Sequence, residues 1–109
     1  MIEIRKPTKI KQIIKLIGSK PETLKAVCDL ENRILILNPD LHIDAEDYLN
    51  EIGSKSKHIW GFYVILEEHE IEFDAMINFK PMYNNFSEVI ADEILKDKIR
   101  MLVTDLLDL

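Results

Sequence analysis

Apolar residues recur along this chain with two different periods. Ile10, Ile13, Ile14 and Ile17 repeat at the spacing of one helical face, behind Pro7-Thr8 and ahead of Gly18, which predicts a helix over about residues 8–17. Before it, Ile2 and Ile4 alternate with polar neighbours and allow a short N-terminal strand. Leu24, Ala26, Cys28 and Leu30 also alternate. Glu31-Asn32-Arg33 then interrupts, and the β-rich run Ile34-Leu35-Ile36-Leu37 follows, which is the pattern of a hairpin. Asn38-Pro39-Asp40 closes it, because proline has no amide to give to a central ladder.

Past this hairpin, Asp44 stands where an N-cap belongs, with Asp47 in the place of a capping-box acid. Tyr48, Leu49 and Ile52 form a short apolar face before Gly53, so a two-turn helix is expected. Ser54 to His58 reads as a basic polar loop. Ile59 to Leu66 is apolar on both faces and too short for most helices, as in an inner strand. After a turn at Glu67-Glu68-His69-Glu70, the residues Ile71, Phe73, Ala75, Ile77 and Phe79 alternate with Glu72, Asp74, Met76, Asn78 and Lys80. This predicts a strand over 71–79 with one face on a core and a polar face opposite. Pro81 to Ser87 is a loop, and Asp92 caps a last helix whose inner face is Leu95, Ile99, Leu102 and Leu106.

This order of elements predicts an α+β fold: a two-layer arrangement in which a mainly antiparallel sheet of two hairpins, with a possible extra N-terminal strand, is covered by helices on one side. At 109 residues the chain fits a single domain spanning 1–109. Its 47% hydrophobic and 31% charged content suits a packed core and is too apolar for a disordered chain.

Charge narrows the partners. Fourteen Lys and Arg against twenty Asp and Glu leave a formal charge of −6, which disfavours nucleic acid and anionic lipid unless a local basic patch overrides it. The longest apolar run, Ile59 to Leu66, is far short of the ~20 residues of a membrane-spanning helix. Nothing after Met1 reads as a secretory signal, so a cytoplasmic protein is expected. Cys28 is the only cysteine. It can form no intramolecular disulfide and reads as a small buried apolar residue.

Several constellations carry candidate chemistry. His42, Asp44 and Glu46 alternate, and on an extended segment they would offer one nitrogen and two oxygen ligands to Mn, Fe or Zn. On a helix, Asp44 would instead cap and Glu46 would stand in the first turn, where the dipole favours negative charge. Glu72, Asp74, Asn78 and Lys80 line the polar face of the strand at 71–80, and Asn85 and Ser87 follow in the next loop. Together they can orient a polar ligand or supply a general base, or they form an ordinary solvated sheet face. Trp60, next to Gly61, either presents its ring to a ligand or fills the core. Lys55, Lys57 and His58 form the loop cluster suited to phosphate.

Residues Lys25 to Ile99 also resemble a known family. The resemblance lies in Lys25-Ala26-Val27 with Asp29, His42-Ile43-Asp44-Ala45-Glu46, Gly53-Ser54-Lys55, Trp60-Gly61, Ile71-Glu72-Phe73-Asp74, Met76-Ile77-Asn78, and Pro81, Asn85 and Ser87. The family is an uncharacterised prokaryotic one, domain of unknown function 5674. The resemblance implies a small cytosolic domain and assigns no activity. Where that family tends to read Arg-Pro and Gln-Gly-Asn-Arg-Ser, this chain has Lys80-Pro81 and Tyr83-Asn84-Asn85-Phe86-Ser87. An arginine fork has become a point charge and a second arginine has become a ring, so any recognition of anions through those arginines is weakened here.

No motif defines a reaction, and the sequence implies no cofactor. The leading expectation is a domain that acts by association, either with another partner or as a homodimer that covers an exposed hairpin edge. A second is a small-molecule or metal-dependent enzyme with its site between the polar face of strand 71–80 and His42–Glu46. A third is an RNA-binding accessory protein using the Lys55 and Lys80 loops.

Overall fold

A computed structural model describes residues 1–108. Strands β1 (Ile2–Ile4), β2 (Thr23–Asp29), β3 (Ile34–Leu37), β4 (Ile59–Ile65) and β5 (Glu70–Glu72) form one sheet. Their order is β1-β3-β2-β4-β5, and each neighbouring pair is antiparallel. Helices α1 (Ile10–Ile17), α2 (His42–Glu51) and α3 (Glu93–Leu107) complete an α+β fold. The β2–β3 hairpin, β4 and the N-terminal strand lie where the sequence pattern puts them.

The helices cover both faces of the sheet, and the expected one-sided cover is corrected. Leu24, Ala26 and Cys28 of β2, with Leu35, Leu37, Phe62 and Val64, pack beneath Ile13 of α1 and Ile99, Leu102, Val103 and Leu106 of α3. The opposite face carries Val27, Ile34, Ile36 and Ile59 beneath Ala45 and Leu49 of α2. The physical reason is in β3, whose four residues are all buried. A strand apolar on both sides needs cover on both sides.

Helix α2 begins three residues earlier than expected. Leu41 holds the N-cap position, and Asp44 sits in the first turn with its Oδ2 accepting the Leu41 N–H at 3.1 Å. Asp44 thus closes the helix start from within, as the acid of a capping box does. At the end of the first hairpin, the Asp29 carboxylate accepts the Glu31 and Asn32 N–H groups, the Asn32 amide and the Ser54 hydroxyl. These bonds hold its pKa below the usual carboxylate range against the opposing effect of burial.

The strand expected over 71–79 is the main correction. Only Glu70–Glu72 pair with β4, and the chain then leaves the ladder. Phe73 joins the core under α3 while Ile77 packs on the α2 side, so the two residues do not share a face as an unbroken strand would require. Residues 76–78 form a 3-10 turn, and Asp74 makes an isolated bridge to Val89. A side chain replaces the missing rungs. Asn78 Oδ1 accepts the Gly61 N–H at 2.8 Å, and its Nδ2 donates to the Gly61 carbonyl at 2.8 Å and to the Glu88 carbonyl at 3.2 Å. Gly61 permits this approach, since a Cβ there would stand 2.8 Å from the Ala75 Cβ and 3.0 Å from Ile77.

The loop after it is tied the same way. Asn85 Nδ2 donates to the carbonyls of Asn78, Ser87 and Val89, and its Oδ1 accepts the Ala91 N–H. Lys80 and Asn85 bridge across a 3-10 turn at Pro81–Tyr83, closed by Asn84 at φ 61°.

Candidate functional site

The first turn of α2 and residues 74–83 face each other across the sheet around Lys25 and Tyr63, which are cross-strand partners on β2 and β4. Between them lies a cleft of about 990 Å³. Its volume is at the upper end of the range typical of ligand pockets. Leu41, Ile43, Met76, Phe79, Met82 and Tyr83 line it and are between 38% and 79% exposed. Large apolar side chains exposed singly are ordinary, whereas here they are grouped around one concavity.

The polar lining is sparse and mostly engaged. His42 Nε2 lies 2.9 Å from the Phe62 carbonyl, which can only accept, so this nitrogen carries the proton. The ring meets Tyr63 edge-on, with centroids 4.9 Å apart. Burial pushes its pKa below the ordinary imidazole value, outweighing the Phe62 bond. The neutral ring then keeps Nδ1 as an acceptor.

Lys80 is a buried ammonium. Its Nζ donates to the Ile59 and Ser56 carbonyls at 2.8 Å each, and lies 3.1 Å from both the Ser56 hydroxyl and Glu46 Oε2. It also sits 5.3 Å from the centre of the Trp60 ring. Burial lowers its pKa, and the Glu46 carboxylate pulls it back up. The side chain therefore joins α2, the 54–58 loop and β4 at the rim of the cleft. A point charge suits this ring of differently directed oxygens, where a planar fork would not.

Of the residues singled out from the sequence, His42, Glu46, Asp74 and Lys80 meet on the cleft. Asp44 does not join them, because it faces the Leu41 amide. His42 and Glu46 lie one helical turn apart, and among the described residues no group of three or more His, Cys, Asp or Glu is placed to hold a metal. Glu72 is exposed on β5, and Ser87 lies in an adjoining hollow. Asn78 and Asn85 are buried in backbone-pairing roles. Trp60 is buried, and its indole N–H donates to the Lys57 carbonyl at 3.1 Å.

Leu41, Ile43, Lys25, Tyr63, Met82, Tyr83 and Glu88 also line the cleft, although no candidate constellation in the sequence includes them, and so does Phe79, which the alternation places on a core face. One signal was available. Met76, Phe79, Met82, Tyr83 and Phe86 crowd a stretch broken by Pro81, richer in large apolar groups than a solvated loop needs.

Together these features define an antiparallel α+β domain with a half-open apolar cleft on one sheet face. The chain belongs to the family described as Protein of unknown function (DUF5674), which matches residues 2–106. No curated protein and no solved structure matches it.

Proposed function

We propose that the protein is a non-catalytic binding domain that associates with a partner polypeptide through the cleft between α2 and residues 74–83. The observation that carries this reading is the set of six exposed apolar side chains, Leu41, Ile43, Met76, Phe79, Met82 and Tyr83, gathered around one concavity. Methionine and aromatic side chains supply adaptable, high-area contacts of the kind enriched at interfaces. The nucleophile-bearing groups favour binding over catalysis. The Lys80 ammonium beside the Ser56 hydroxyl is committed to Glu46 and two carbonyls and so offers that hydroxyl no base, and Cys28 is buried with its thiol pKa pushed up to about 12.

A homodimer through a hairpin edge has less in its favour. The two sheet edges, β1 and β5, are three residues long, a length that itself discourages edge pairing. A second copy docked by the cleft face would set the acidic side chains Asp74 and Glu88 of one copy against the same patch of the other. RNA binding loses one of its two loops, because the Lys80 ammonium is turned inward. Among the described residues no helix is long and apolar enough to cross a membrane.

Selection from a random peptide display library tests the proposal. Enriched peptides are expected to bind the wild type and to lose binding to Phe79→Ser, whose exposed side chain contributes little to folding. Enrichment no better than on a blank surface, or peptides indifferent to Phe79→Ser, would contradict it.

A further inference from the structure

The cleft is not isolated. A second hollow of about 590 Å³ adjoins it, and Asp74, Met76, Phe79 and Glu88 line both. The exposed side chains of Met76 and Phe79 thus stand between two concavities, with two carboxylates along the same stretch. Among the described residues neither Asp74 nor Glu88 forms a salt bridge.

The other charges of the cleft are accounted for differently. Glu46 and Lys80 neutralise each other at 3.1 Å. Lys25 lines only the larger hollow, where its Nζ donates to the Asp40 carbonyl at 2.7 Å. His42 is neutral at ordinary pH and offers an acceptor. The stretch shared by the two hollows therefore carries negative charge alone, on a chain whose net charge of −6 attracts cations at longer range.

We infer that the occupant of this groove is an amphipathic segment of a partner protein, with apolar side chains on either side of a lysine or arginine that meets Asp74 and Glu88. The inference rests on the association reading above and adds the charge of the partner to it. Apolar side chains enter the two hollows while the stem of the basic residue crosses Met76 and Phe79, as long cationic side chains do on apolar surface. Opposite charge at the crossing fixes register and excludes acidic segments.

Calorimetric titration of the full chain with two short amphipathic peptides tests this. Both share one pattern of leucines, and one carries lysine where the other carries glutamate. The Leu/Lys peptide is expected to bind about tenfold more tightly, with a preference that shrinks in added salt. The double variant Asp74→Asn, Glu88→Gln should bring the two peptides to similar affinity while leaving apolar binding in place. Equal binding of both peptides by the wild type would overturn the charge inference and leave the association reading standing. Binding of neither would overturn both. A wild-type dimer that masks the groove in light scattering would overturn the inference by making a second copy the occupant.

Discussion

Asn78 shows how much one side chain contributes to the shape of this site. It stands in for a strand residue, giving Gly61 both an acceptor and a donor, and it reaches Glu88 as well. In Asn78→Ala the Gly61 N–H and carbonyl lose this partner, while the Glu88 carbonyl keeps the Ala75 N–H, and a buried unpaired polar group costs about 1–3 kcal/mol. A loss of about 3 kcal/mol is expected in urea unfolding, with an unchanged slope against denaturant. A loss within about 0.5 kcal/mol, the scale of ordinary surface changes, would show that the amide is not needed there. His42 gives a pH signature. Burial holds its folded pKa below the ordinary value of 6.5, so the unfolded chain takes up the proton first as the solution is acidified. Stability falls as pH drops from about 6.5 towards the folded value, and this contribution levels off below it. Thermal unfolding at about pH 7.5 and about pH 5 should therefore show a decrease in the wild type that His42→Gln largely removes. The same decrease in both proteins would assign it to other groups. Asp29, held below the carboxylate range, adds its own loss at more acidic pH.

Among the elements, the segment after β5 decides whether the cleft exists. It is set by close approach to β4, and Gly61→Ala would place a methyl 2.8 Å from the Ala75 Cβ with Ile77 at 3.0 Å on the same site. A loss of about 1–3 kcal/mol is expected. Amide hydrogen exchange should quicken at residues 74–79 more than in α1 or β1, and uniform exchange would contradict this account. The same segment shows where sequence patterning stops being informative. The apolar repeats of α1, α3, β2 and β4 follow from one burial face or two, and such faces are legible locally. Ile71 to Phe79 also alternates, yet only Ile71 and Glu72 pair with β4, and beyond them the bonds to Gly61 on that strand come from the Asn78 side chain. No local period encodes that pairing. Phe79 reads as core because it is apolar, although 58% of it is exposed at the mouth of the cleft. The α2 side of the cleft was half legible: His42 and Glu46 are there, while Asp44 is turned to cap the helix.

For the molecule as a whole, exposed apolar side chains occur in more than one place and in different arrangements. Those around the cleft line one concavity, whereas Ile94 and Met101 are exposed on α3 without lining the cleft or the hollow beside it. Scattered exposure of that second kind is ordinary, and a grouped concave patch is not. The most direct test is a titration with the uncharged dye Nile red, comparing wild type, Phe79→Ser with Met82→Ser, and Ile94→Ser with Met101→Ser. Saturable dye emission that is lost in the first double variant and kept in the second is the expected result. Emission that survives loss of Phe79 and Met82, or that depends on Ile94 and Met101, would contradict the claim that the cleft beside α2 is the binding face.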